Sequence, residues 1–196
     1  METEWRPPTL QTPRLILRAL DERDVDAIFA YASSPTVTQY VLWDTHQTKD
    51  DTRGFIRDYV VPSYREKIPD SFGICLKEAP ETVIGTIGCR RVGGSTHTLE
   101  MGYVLSEAFH GRGIMPEAAA AMLDYVFANT DVVRVQAHSM AENVASQRVM
   151  QKIGMRHEGC LRSALLHRGR FWDMEMYSIL RREWKRRGRL GDSPSI

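Results

Sequence analysis

Cysteine is scarce. Cys75, Cys89 and Cys160 are the three cysteines in 196 residues, odd in number and widely spaced, with no Cys-x-x-Cys pair. This argues against a disulfide framework and a thiolate zinc site, and no metal is expected. A reducing cytoplasm is the expected compartment. Long apolar runs are missing as well: none approaches the ~18 residues that would cross a bilayer. Met1 to Pro8 carries two glutamates and no apolar run, so a secretory leader is not expected either. Net charge is only +1, which provides no bulk field for nucleic acid or a membrane surface. There is no internal repeat, no low-complexity linker and no Gly-x4-Gly-Lys-Ser/Thr phosphate loop.

What is present is ordinary globular material. Hydrophobic residues at 42% and charged residues at 26% allow a core of useful size, and residues 1–196 are expected to form one domain. "PRLILRAL" (Pro13 to Leu20) predicts a first strand with Leu15 and Leu17 on one face. Asp21 is an N-cap candidate for a helix carrying Val25, Ile28, Phe29 and Ala32 at helical spacing. Thr48 to Lys67 predicts a second helical region, opened by a Thr48–Asp51 capping box and kinked or ended at Pro62. Ser71 to Lys77, Thr82 to Val92 and His97 to Ser106 predict an antiparallel meander joined by turn residues. A helix over about Arg112 to Asn129, a strand over Val132 to Ser139 and a helix over Asn143 to Ile153 follow, the last stopped by Gly154. A closing hairpin is predicted around Arg168-Gly169. The basic C-terminal tail, about 185–196, is expected to be a solvated helix end that frays, rather than a contact for an acidic partner.

The stretch "EAFHGRGIMPEAAAAMLDYVF" (Glu107 to Phe127) sets two glycines directly before a strong helix former. A helix start leaves N–H groups without intrahelical partners and carries partial positive charge. Glycines let backbone approach a ligand and adopt positive φ. Together they suit a diphosphate, with Arg112 adding charge and Pro116 tolerated in the first turn. The plain alternative is a turn before an amphipathic helix. The dinucleotide fingerprint is incomplete, because Pro116 occupies its third glycine position.

The strand "LEMGYVL", the loop "FHGRGIMPEA" and the helix "NVASQRVMQKIGM", in that order and spacing, resemble the GNAT superfamily of acetyl-CoA-dependent N-acetyltransferases. "TPRLILR", "EGC" at 158–160 and "MYSILRREW" extend the resemblance over almost the whole chain, to the ribosomal-protein N-terminal acetyltransferase (RimJ/RimL-like) branch. The chain departs from the family pattern at His110, where Gln or Arg is usual, and at Met115, where Gly or Ala is usual. Leu165 stands where some members of that branch place a base glutamate.

The resemblance implies an α/β (α+β) GNAT fold: a mixed, mostly antiparallel sheet of about seven strands, a splayed central pair and flanking helices. It implies acetyl-CoA as cosubstrate, with Val104 and Leu105 meeting pantetheine in the splay and His110, Gly111, Arg112, Gly113, Ile114 and Met115 meeting the diphosphate. Glu100 is the implied general base, and a solvated strand residue otherwise. Asn143 is a cofactor contact, a helix N-cap, or both. Ser146 is the implied thiolate proton donor, or a hydroxyl serving the cap. Arg148 and Lys152 pair with phosphates or are solvated. His138 and His157 read as structural or exposed, since no carboxylate partner for either can be assigned from sequence. The acceptor walls fall at Val41 to Tyr64 and Cys160 to Phe171. The expected reaction is acetyl transfer to a primary amine by direct attack, most simply onto a protein N-terminus, by a monomer or homodimer. A small-molecule amine acceptor and a non-catalytic acyl-CoA sensor are the alternatives.

Overall fold

A computed structural model describes residues 5–65 and 70–191, with side chains through Arg186. The expected C-terminal tail lies outside the described residues from 192 onward, and helix occupies its earlier part. The chain forms two compact units, Met1–Arg90 with Met101–Met122, and Arg91–Glu100 with Leu123–Ile196.

In the first unit the strands β1 (Leu10–Gln11), β2 (Leu15–Ala19), β3 (Phe72–Leu76) and β4 (Ala79–Arg91) lie side by side in that order, followed by the Met101–Leu105 part of β5 (Thr98–Leu105). The first three pairings are antiparallel. Leu15 and Leu17 are fully buried on one face of β2, as the alternation requires; burial of each side chain is worth about 2 kcal/mol. On the opposite face of the sheet, where Ile16 pairs with Cys75, packs a cluster that includes Ile28 of α1 (Val25–Ala32) and Ile56, Val60 and Tyr64, together with Leu20, Cys75 and Val83.

Local chemistry sets the helix starts. Asp21 accepts from the Arg23 N–H, and the Asp24 carboxylate answers to the Asp21 N–H, closing a capping box before α1. After the short α2 (Pro35–Thr38), Thr48 and Asp51 form the predicted box at the head of α3 (Lys49–Gly54). The helix then runs through Pro62 into α4 (Val61–Arg65) instead of ending there. The adjustment comes one turn earlier, where Phe55–Val60 widens into a π turn that accommodates the proline ring and its missing N–H. Glu66 and Lys67 lie outside the described residues.

The second unit holds the Thr98–Glu100 part of β5, then β6 (Arg134–Met140), β8 (Arg170–Leu180) and β7 (Arg156–His167), in that spatial order. β5 and β6 run parallel through three register pairs, Thr98↔Arg134, Leu99↔Val135 and Glu100↔Gln136, and the other two pairings are antiparallel. Arg168 and Gly169, with φ of 50° and 76°, make the tight turn between β7 and β8. The helix α6 (Val144–Lys152) ends in a Schellman motif: Gly154 N–H bonds Gln151 O, Met155 N–H bonds Met150 O, and Gly154 takes φ 80°. The helix α5 (Ile114–Asn129) contributes residues to both units, and α7 (Arg181–Gly191) ends the second.

The fold class is the expected one, mixed and mostly antiparallel strands with flanking helices. Among the described residues there are eight strands rather than about seven; the addition is the two-residue β1. No described helix is long and apolar enough to cross a membrane.

Candidate active site

The glycine loop lies in the first unit. Gly111 and Gly113 take φ of 75° and 73°, the left-handed region where a side chain is strained. Helix α5 begins directly at Ile114. Ile114 and Met115 turn their side chains into the core, 3% and 5% exposed, so outward they can offer only backbone N–H groups. This is why Met115 can stand where Gly or Ala is usual. Arg112 is exposed, its guanidinium 5.4 Å from the Phe109 ring centre. The His110 ring is committed elsewhere: Nε2 donates to the Leu105 carbonyl at 2.9 Å, fixing the loop to the end of β5. The Val104 carbonyl lies 2.4 Å from where a Cβ on Gly85 would stand, a close approach that only glycine permits.

Beside the loop is a group that the sequence reading missed. Glu117, in the first turn of α5, accepts from the Thr12 hydroxyl at 2.6 Å, the Arg14 N–H at 3.0 Å and Arg14 Nε at 2.7 Å. Burial alone would raise its carboxyl pKa, but these bonds outweigh burial and hold it below the ordinary value. Arg14 Nη1 also donates to the Arg112 carbonyl at 3.0 Å. The expected acceptor wall, Val41 to Tyr64, carries a row of rings. Trp43 meets His46 at 5.2 Å, His46 meets Phe55 at 6.4 Å, and Phe55 stacks on Tyr59 at 5.8 Å. Burial lowers the His46 pKa.

Glu100, Asn143 and Ser146 lie in the second unit. Glu100 is only 13% exposed and is not a solvated strand residue. Its Oε2 accepts from His138 Nδ1 at 3.1 Å and from Gln136 Nε2 at 3.3 Å. A strand period of two explains the grouping: Glu100 pairs with Gln136, and His138 is two residues further along the same face of β6. Asn143 is the cap of α6, its Oδ1 accepting the Ser146 N–H at 3.1 Å. Arg148 and Lys152 are exposed.

Both histidines for which no carboxylate could be assigned have one. His138 meets Glu100, and His157 Nε2 meets Glu175 Oε2 at 2.5 Å. The partners come from neighbouring strands, so only their register reveals them. Leu165 is partly buried opposite Trp172, and the second expected wall exposes Leu161, Leu166 and Phe171. Among the described residues no group of three or more His, Cys, Asp or Glu could hold a metal ion.

The family model described as "Acetyltransferase (GNAT) domain" matches residues 14–156, a span that includes Glu100, the glycine loop, Asn143 and Ser146. The Bacillus subtilis "Uncharacterized N-acetyltransferase YnaD" is 31% identical over 89% of this chain and 98% of its own length. The Escherichia coli "[Ribosomal protein uS5]-alanine N-acetyltransferase" is 23% identical over 89% of this chain and 92% of its own. The crystal structure of a GNAT-family acetyltransferase from Bacillus anthracis superposes with a TM-score of 0.80, at 31% identity, covering 90% of this chain and all of that one.

Proposed function

Because the chain belongs to the GNAT acetyltransferase family and is therefore an acetyl-CoA-dependent N-acetyltransferase, we propose that its acceptor is the α-amine of a protein N-terminus, a ribosomal protein first. The observation that carries this reading is the near end-to-end similarity to the E. coli enzyme acting on an alanine of ribosomal protein uS5. Acid–base chemistry favours the same acceptor. An α-amine, with pKa ~8, is about one-tenth neutral at pH 7, whereas an alkyl amine with pKa ~10.4 is neutral in only about one molecule in 2,500. A single carboxylate fixed in place by hydrogen bonds from β6 can manage the first case.

The roles follow in order. Residues 1–196 act as one acetyltransferase domain. The N–H groups of the Gly111–Met115 loop hold the cofactor diphosphate with Arg112, and His110 braces the loop. Val104 and Leu105 meet pantetheine through their backbone, and Asn143 contacts the cofactor from the head of α6. Glu100 takes the proton of the incoming ammonium, directly or through water. The freed amine attacks the thioester carbonyl; as the tetrahedral intermediate collapses and the C–S bond breaks, the Ser146 hydroxyl gives its proton to the departing thiolate and regains one, through water, from the second proton that the attacking nitrogen sheds as it becomes the amide. No covalent enzyme intermediate is formed.

The test offers acetyl-CoA with peptides bearing free or blocked α-amines, lysine and spermidine, and follows the acetylated product by mass spectrometry. Acetylation of free peptide α-amines supports the reading. Transfer only to spermidine or lysine assigns a small-molecule acceptor and overturns it. Tight coenzyme A binding without turnover on any acceptor makes the chain a sensor.

A further inference from the structure

The segment Thr12-Pro13-Arg14 enters β2 far from the glycine loop in sequence, yet its side chains meet the loop and the first turn of α5. Thr12 Oγ accepts the Leu15 N–H at 2.8 Å and donates to Glu117 Oε1. The Arg14 fork is divided: Nε donates to Glu117 Oε2, and Nη1 donates to the Arg112 carbonyl. Nη2 is 3.6 Å from where a Cβ on Gly113 would stand.

As a stability device this network is weak. The Arg14 side chain is 50% exposed, and exposed ion pairs contribute little. Its geometric effect is larger. In a trans peptide the carbonyl and the following N–H point in opposite directions. A guanidinium that holds the Arg112 carbonyl on one side therefore turns the Gly113 N–H to the other. With φ at 73°, Gly113 has the freedom to swing that a substituted residue lacks, so something must fix its peptide plane.

We propose that Arg14 is a positioning residue of the acetyl-CoA site: it anchors the Arg112 carbonyl from the Glu117 carboxylate and so aims the Gly113 N–H at the cofactor diphosphate. This rests on the reading that the loop holds the diphosphate. Lysine cannot replace it, because one ammonium on a flexible stem does not hold the carboxylate and the carbonyl in a fixed plane together.

The experiment measures coenzyme A affinity by calorimetry and steady-state kinetics for wild type, Arg14→Gln, Arg14→Lys and Gly113→Val, each checked for folding by circular dichroism. Both Arg14 variants should weaken coenzyme A about tenfold, the loss of one charge-assisted hydrogen bond. The loss should fall on KM for acetyl-CoA and leave the acceptor KM alone, a split that general destabilisation does not produce. Wild-type affinity in folded Arg14→Gln, with Gly113→Val impaired, overturns the inference and spares the loop reading. Wild-type affinity in Gly113→Val removes the loop reading and the inference with it. Full rescue by Arg14→Lys assigns Arg14 to bare charge and overturns positioning.

Discussion

His138 donates Nδ1–H to Glu100 Oε2 at 3.1 Å, across two parallel strands and 38 positions of sequence. With Gln136 on the same oxygen, the carboxylate is held by two donors rather than left to sample rotamers in water. Immobilising a base in this way is what general-base assistance requires. Glu100→Gln keeps the shape and removes the basicity. Turnover on a peptide α-amine at pH 7 should fall on the order of 100-fold. The deficit should shrink as pH rises past ~8, where the amine is already neutral. A uniform small loss at every pH would make Glu100 a structural residue.

Asn143 and Ser146 separate cap from catalysis. The cap bond runs from the Ser146 N–H to Asn143 Oδ1, so Ser146→Ala leaves it in place. Asn143→Ala removes it and should cost about 1 kcal/mol of stability. Ser146→Ala should instead lower the single-turnover rate while the melting temperature holds. If Ser146→Ala turns over like wild type, the thiolate takes its proton from another donor.

The local parts of the molecule are readable from sequence. Gly111 and Gly113 before α5, Thr48 with Asp51, Asn143 and Gly154 around α6, and Arg168-Gly169 in the hairpin each act within a few residues of themselves. What is hidden is tertiary. Arg14 reaches Glu117 over 103 positions, and His157 finds Glu175 through the β7–β8 register. Nothing near either residue in sequence names its partner. The ring of His110 was also out of reach: the loop motif fixes its position but not that it turns back to the Leu105 carbonyl. Pro62 misled because a helix-breaking residue is compensated by the wide turn before it, a backbone response that no residue type announces.

Glu158 should shape acid stability. The Arg134 guanidinium, at 2.5 Å, and a bond from the Ser178 hydroxyl hold its carboxyl down at about 2, although partial burial pushes it the other way. A carboxylate depressed in the folded state adds stability that is present above its unfolded value, about 4.3, and lost as pH falls through its folded value. Wild type should therefore lose stability steadily between about pH 4 and pH 2, more steeply than Glu158→Gln. Urea midpoints at pH 5, 4, 3 and 2 measure both slopes. Parallel slopes would show that the pair is screened by solvent.

Arg181 is expected to be among the most costly polar side chains to remove. It stands where β8 gives way to α7, and its guanidinium gathers three carbonyls at and beyond the end of α5. Nη1 donates to Phe127 O at 2.6 Å, Nε to Val132 O at 2.7 Å, and Nη2 to Thr130 O. Phe127 belongs to the last turn of α5, where carbonyls have no intrahelical donor and partial negative charge collects. A cation there satisfies the hydrogen bonds and the helix dipole together. Hydrogen bonds to charged groups contribute about 1.5–3 kcal/mol each, and shared geometry and partial exposure keep the sum below three times that. Arg181→Ala should cost about 3 kcal/mol and lower Tm by roughly 6–12 °C for a chain of this size. Arg181→Lys should recover only a minor part, since one ammonium cannot span three carbonyls set by a planar fork. Turnover per folded molecule should hold in both variants at temperatures below the transition. Thermal and urea unfolding of the three proteins measure the loss, and a Tm within two degrees of wild type for Arg181→Ala, outside the range expected, would show that water replaces the guanidinium without cost.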